Sequence, residues 1–385
     1  MTTRSNKYLI TGGAGFIGAN FVKYLLGKYG DNVSLTVVDA LTYAGNLATV
    51  ADEISRPNVE FVKADIRDRQ AMAELVARTD PDFIVNFAAE SHVDRSITNP
   101  AVFLETNILG TQTMLDAAKN AWLDPDGSWK AGKKFLQIST DEVYGALPID
   151  FDSPQPLPLS PDLAHIAGGR TDLKTYGKGL FTEETPLAPR SPYSASKASA
   201  DMICLAYAET YGMPVNITRC SNNYGPWQFP EKLIPLLVKN ITEGRELPVY
   251  GKGLNVRDWL YVDDHCAAID TVLLNGVPGE VYNIGGLNEQ KNIDIVRIVI
   301  EIVAEFLGTE PRYDLIRYVR DRAGHDLRYA IDPSKTAREL GWYPTVPFSE
   351  GIRDTVRWYL DNRDWTDSVT SGEYLNYYRQ MYGNR

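Results

Sequence analysis

Cysteine is scarce. Cys204, Cys220 and Cys266 are the only three in 385 residues, an odd number without CxxC or zinc-like spacing, which argues against a disulfide framework and offers no metal site. The thiols are expected to be inert, with Cys204, on a predicted helical stretch, in the core. Basic charge is short as well. Against 39 Lys and Arg stand 50 Asp and Glu, a net charge of −11, so no broad basic surface serves nucleic acid or anionic lipid. A small anionic ligand would need cations placed locally. No apolar run approaches the roughly 18 residues of a membrane span. The opening MTTRSNKYLI runs straight into a glycine-rich turn, leaving no room for a signal peptide. The expectation is a soluble, cytoplasmic protein with neither nucleic acid nor membrane as partner. No internal repeat is found.

What is present is a globular composition, 44% hydrophobic, organised as strands alternating with helices. Short β-rich runs stand at Lys7–Thr11, Leu35–Asp39, Val59–Lys63, Phe83–Asn86, Lys134–Ser139, Pro214–Arg219 and Val281–Ile284. They are almost continuously apolar, as expected of strands covered by helices on both faces. The fold class is therefore α/β, a doubly wound, Rossmann-like parallel sheet, and ligands of such sheets bind at the carboxyl ends of the strands. Residues 1–220 are expected to form mainly the nucleotide-binding domain. Residues 221–385, with Pro/Gly-punctuated loops and helical segments such as Ile293–Phe306, should form mainly a smaller substrate domain, with the late strand near 281–284 returning to the sheet. Residues 148–182 are rich in Pro, Gly and Asp without a sustained period and read as a long surface loop.

The first strand runs into Gly12-Gly13-Ala14-Gly15-Phe16-Ile17-Gly18 and then an amphipathic stretch. Glycines three apart let the backbone turn sharply and approach a pyrophosphate at the positive end of the new helix. The second strand closes on Asp39, placed to accept hydrogen bonds from an adenosine ribose and to repel a 2′-phosphate. The predicted cofactor is therefore NAD rather than NADP. Asp65-Ile66 after the third strand and Phe87-Ala88-Ala89-Glu90-Ser91-His92 after the fourth fit adenine and ribose contacts, although each alone would pass for a plain strand-to-helix loop. Tyr193 and Lys197, in YSASK, share one helical face. There the Lys197 ammonium can lower the phenol pKa of Tyr193 and hold the nicotinamide ribose, giving a base beside the hydride acceptor.

The segments GGAGFIG, NFAAESHVD, STDEVYG, PYSASK, SNNYGP, RDWLYVDD and RAGHDLRYAID resemble the extended short-chain dehydrogenase/reductase family and, within it, the nucleotide-sugar 4,6-dehydratases. The likeness covers nearly the whole chain. Its main departure is the 148–182 loop, longer than the family usually carries. The resemblance implies retained and recycled NAD and conversion of a dTDP-hexose, expected to be dTDP-glucose, into the 4-keto-6-deoxy sugar and water. It assigns Asp141 as the acid, Glu142 as the base and Thr140 as a partner of the carbon 4 hydroxyl, beside Tyr193 and Lys197. It adds Thr42 and Thr106 to the cofactor set of Gly12, Gly15, Phe16, Ile17, Gly18, Asp39, Asp65, Ile66, Ala88, Ala89, Tyr193 and Lys197. For the nucleotide sugar it transfers Ser91, Thr140, Asn222, Lys232, Leu233, Pro248, Tyr250, Arg257, Asn292 and the run Asp321-Arg322-Ala323-Gly324-His325. Arg257 offers a planar fork suited to phosphate. Taken singly, Arg257 and Arg322 read more readily as surface ion-pair residues, His325 is ambiguous, and His165 and His265 look structural. A homodimer is also implied.

Three rival readings remain. A UDP-glucose 4,6-dehydratase would use the same Thr-Asp-Glu triad, because one methyl group in a pocket discriminates only weakly. A hexose 4-epimerase is disfavoured by Asp141 and Glu142, since epimerases of the family lack that acidic pair. A catalytically silent NAD-binding sensor would be expected to lose Tyr193, Lys197 or the acidic pair.

Overall fold

The computed structural model describes residues 5–166, 170, 172–322 and 324–370, the side chains of 165 and 166 excepted. The His165 side chain, Ala323 and residues 167–169 and 171 of the 148–182 segment therefore lie outside the described part of the chain. All seven expected runs form strands of one parallel sheet. Across it they lie in the order Val281–Ile284, Val215–Cys220, Lys134–Thr140, Phe83–Asn86, Asn6–Thr11, Val33–Asp39, Val59–Lys63. The chain builds outward from Asn6–Thr11 in one direction, then returns and builds outward in the other from Phe83–Asn86. The crevice beyond the carboxyl ends of those two strands is the topological switch point, where such sheets bind ligands.

Near-continuous burial explains the near-continuous apolar runs. Every residue of Lys134–Thr140 is buried. Phe21, Leu25, Ile269 and Val272, from helices Phe16–Tyr29 and Val262–Asn275, cover one face. Met72, Leu75, Met114, Trp122 and Cys204, from three further helices, cover the other. Burying each such large apolar side chain contributes about 1.5–3 kcal/mol. All three thiols are buried and free, Cys204 within this second core.

Above the carboxyl ends sits a second apolar core. Val296, Val299, Ile300 and Val303 recur at helical spacing along Asn292–Leu307 and meet Ile234 and Leu237 of Leu233–Thr242 and Ile352 and Val356 of Phe348–Asp361. The three-stranded ribbon Glu289–Lys291, Val256–Tyr261, Asn222–Tyr224 links this core to the main sheet.

The 148–182 segment has structure of its own. Gln155–Pro156 pairs with Lys174–Thr175, and a helix spans Pro161–Ile166. It is pinned from beneath by Arg328, fully buried, which forks onto Glu289 at 2.7 Å and donates to Thr175 Oγ1 at 3.0 Å and the Gly179 carbonyl at 2.9 Å. A charge this deep is costly unless such a set of acceptors surrounds it. Among the described residues no helix is long and apolar enough to cross a membrane, and no cluster of His, Cys, Asp and Glu could hold a metal ion.

Candidate active site

The glycine turn is shaped by backbone contacts that leave no room for a side chain. Gly12 has φ +66°, and a Cβ there would lie 2.8 Å from the Ala88 amide nitrogen. A Cβ on Gly18 would strike the Gly12 carbonyl oxygen. Gly15 caps the helix Phe16–Tyr29 without a side-chain bond, so its first-turn amides are open to an anion. Asp39 reaches back across the turn, accepting from the amides of Ala14 at 3.0 Å and Leu41 at 2.7 Å. Burial raises its pKa against those two bonds. An ionised carboxyl has about four lone-pair sites, so acceptor capacity remains for a ribose.

These groups open into a cleft of about 400 Å³ at the switch point. The structure brings together there Gly12, Gly15, Phe16, Ile17, Gly18, Asp39, Thr42, Asp65, Ile66, Ala88, Ala89 and Thr106, along with Ser91, Asn222 and Lys232. Thr140, Asp141, Glu142, Tyr193 and Lys197 line its far end. A glycine cradle, an uncapped helix and an acidic residue closing the second strand together fit a dinucleotide.

Thr140 ends its strand and caps the short turn Asp141–Tyr144, accepting from the Glu142 amide at 3.3 Å while its hydroxyl donates to Asp141 Oδ1 at 3.3 Å. The same hydroxyl hydrogen-bonds the phenol of Tyr193. Ser191 and Ser194 form a capping box and Pro192 stands in the first turn, so the helix Pro192–Tyr211 starts abruptly and aims Tyr193 into the cleft.

Electrostatics separates the two acids. Asp141 is 1% exposed, and burial, then the charges of Glu142 and Asp258, push its pKa well above the carboxylate range. Burial also raises Glu142, but the cations of Arg322, Arg257 and Lys232 oppose that rise. Asp141 is thus the better proton donor and Glu142 the better acceptor. The expected lowering of Tyr193 by Lys197 is not found. Lys197 donates to the Ile138 carbonyl at 2.6 Å, and burial together with the Glu142 charge holds the phenol well above its ordinary value.

The remaining expected residues stand on the second core and do not line the cleft. Leu233 opens the helix that Lys232 caps, and Asn292 opens another, its amide on the Asn255 carbonyl at 3.0 Å. Pro248 lies in the strand Leu247–Tyr250, and Tyr250 donates to Asp94 Oδ2 at 2.8 Å. Arg257 is buried rather than a surface residue, its guanidinium 4.1 Å over the Tyr329 ring and donating to the carbonyls of Val256 and Asp326. Arg322 keeps a buried Nε with no hydrogen-bond partner. His325 pairs with Asp321 at 2.6 Å. His265 is buried, 2.8 Å from Asn223 Oδ1.

Comparison with known proteins follows this geometry. The model of the GDP-mannose 4,6 dehydratase family matches residues 9–161 and 174–355. The chain belongs to that family. The dTDP-glucose 4,6-dehydratases of Shigella flexneri and Escherichia coli K12 are each 50% identical to it over 380 residues, covering 98% of this chain and 99% of theirs. A dTDP-glucose 4,6-dehydratase of Streptomyces venezuelae, solved with NAD and TYD bound, superposes with a TM-score of 0.79 at 45% identity, covering 94% of this chain and 99% of that one. A UDP-glucose 4-epimerase of Thermus thermophilus, in complex with NAD, gives 0.74 at 26% identity, covering 92% and 99%. The family match breaks off between 161 and 174, inside the segment pinned by Arg328.

For this family member, sequence reasoning missed several residues around the cleft. Asn107, buried in the widened helical turn Leu104–Gly110, clamps the backbone of Glu90 through both its amide atoms and donates to Ser196 Oγ at 2.8 Å. It thereby locks the loop after the fourth strand to the helix Pro192–Tyr211. Asp201 and Arg219 form a buried pair at 2.9 Å beneath Lys197. No local pattern marks either device, because each partner comes from a distant part of the chain.

Proposed function

We propose that the protein is an NAD-dependent dTDP-glucose 4,6-dehydratase, converting dTDP-glucose to dTDP-4-keto-6-deoxyglucose and water. One observation carries the reading: two carboxyl groups with separated proton affinities line the same cleft as Tyr193 and Lys197. The 50% identity to dTDP-glucose 4,6-dehydratases over nearly the full chain supports the substrate.

The glycine turn, Asp39 and Lys197 would hold NAD, which would supply the acceptor for the carbon 4 hydride and return that hydride to carbon 6. In its phenolate form, which the positive nicotinamide of bound NAD would favour, Tyr193 takes the carbon 4 hydroxyl proton, with Thr140 orienting that hydroxyl. Oxidation acidifies the proton on carbon 5; Glu142 removes it and gives a proton back to carbon 5 as the hydride reaches carbon 6. Asp141 gives its proton to the carbon 6 hydroxyl, which leaves as water. Arg322, Arg257 and Lys232 oppose the rise that burial imposes on the Glu142 carboxyl and would offset the diphosphate charge.

Exposed Ile97, Leu104, Leu109 and Met202 stand on neighbouring helical segments and support self-association as a homodimer through that face. Three free buried thiols fit a reducing compartment, the cytoplasm.

The test is incubation with dTDP-glucose and with UDP-glucose in turn, followed by mass spectrometry. Loss of one water from the thymidine nucleotide, at higher kcat/KM than from the uridine one, is expected. Epimerisation without water loss would overturn the reading.

A further inference from the structure

Glu231 precedes the helix-capping Lys232 and lines the cleft. Its side chain is only 2% exposed. The Tyr43 hydroxyl hydrogen-bonds the carboxyl. Its Oε2 receives no hydrogen bond: Arg95 Nε, at 3.6 Å, meets it as an ion pair beyond hydrogen-bond distance, and His92 Nε2 stands at 3.9 Å. A buried carboxyl oxygen paired only by charge keeps lone pairs that a ligand's donor can fill.

The chemistry of that donor is restricted. A carboxyl at this position repels a diphosphate and suits a neutral hydroxyl. Burial holds its pKa up to about 7 against the cations of Lys232 and Arg95, and in either protonation state it accepts an O–H donor. Its neighbour Lys232 donates to the Ser91 carbonyl at 3.0 Å and acts on the charge of Glu142, so Glu231 stands beside the reacting end of the cleft. Tyr43 follows Asp39 on the cofactor side, where its ring carries the Arg95 guanidinium at 3.7 Å.

We propose that Glu231, held by Tyr43, accepts a hydrogen bond from a non-reacting sugar hydroxyl in the cleft and so reads the hydroxyl pattern of the bound sugar. Two sources offer that group, carbon 2 or 3 of the substrate hexose and a cofactor ribose. The inference rests on the nucleotide-hexose reading above. Glu231 is a specificity-determining residue in this account, and Tyr43 a positioning residue.

The experiment compares dTDP-glucose with its 2-deoxy and 3-deoxy analogues, by direct titration and by turnover, on the wild type, Glu231→Leu, which removes the acceptor, and Tyr43→Phe, together with NAD affinity of each protein. If the hexose is the source, one analogue binds the wild type about tenfold or more weakly than dTDP-glucose, KM rises more than kcat falls, and Glu231→Leu removes the difference. Tyr43→Phe reduces it in part. If the ribose is the source, Glu231→Leu instead loses NAD affinity and discriminates the analogues as the wild type does. Unchanged NAD affinity with equal discrimination in wild type and Glu231→Leu overturns the proposal. Should Glu231→Leu fail to fold, Tyr43→Phe decides on the same readouts. Because titration does not require turnover, failure of the dehydratase reading is seen separately, as absence of water loss in the wild type.

Discussion

Lys197 donates its ammonium to the carbonyl of Ile138 at 2.6 Å, fastening the helix Pro192–Tyr211 to the strand that ends in Thr140. The bond fixes where Tyr193 stands relative to Thr140, from which the acidic pair follows directly. Tyr193→Phe should therefore lose the first oxidation, with bound NADH forming about 10²–10⁴-fold more slowly and the fold intact. Lys197→Met should lose the same step and weaken NAD binding as well. Stopped-flow absorbance of the nicotinamide and a cofactor titration separate the two. Wild-type NADH formation in Tyr193→Phe would remove that residue from the mechanism.

Asp141 and Glu142 should fail at different steps. Glu142→Gln keeps the oxidation but leaves no base for carbon 5, so bound NADH accumulates without solvent deuterium entering there. Asp141→Asn keeps exchange at carbon 5 and slows water loss by about 10²–10⁴-fold. Because the Glu142 charge raises the Tyr193 phenol, the pH profile of NADH formation in Glu142→Gln should also move to lower pH. Wild-type turnover in both variants would make the acidic pair a bystander.

The cation of Arg322 is the largest influence opposing the burial that raises Glu142. Arg322→Met removes it, so the carboxyl should hold its proton to higher pH. The acidic limb of the carbon 5 exchange rate, where activity appears as Glu142 ionises, should shift upward. A limb that stays in place or moves down would contradict the assignment of Glu142 as the base.

Arg328 is fully buried against Glu289 and pins the 148–182 segment. Arg328→Leu leaves a buried carboxylate unpaired and should cost about 3–5 kcal/mol in urea unfolding. Arg328→Leu combined with Glu289→Leu should recover part of that loss. If the double variant proves no more stable than the single one, the pair is not the source of the cost.

The sequence by itself determined the sheet and one side of the cleft. Seven apolar runs, a glycine triplet and an acidic strand terminus are local signals, because period, turn chemistry and helix capping act over a few neighbouring residues. The YSASK spacing likewise placed Tyr193 and Lys197 on one face of one helix. Only the tertiary structure decided the environments. Asp141 and Glu142 are adjacent in sequence and chemically alike, and burial raises both; yet the Glu142 and Asp258 charges push Asp141 further up, whereas Arg322, Arg257 and Lys232 restrain Glu142, and those three cations and Asp258 come from later in the chain. Arg257, which in sequence reads as a surface ion-pair residue, is buried over Tyr329. The unbonded oxygen of Glu231 exists only because folding sets it beside Tyr43 and beyond hydrogen-bond distance of Arg95. Burial and long-range charge are properties of packing, and they fix proton affinities that no local pattern encodes.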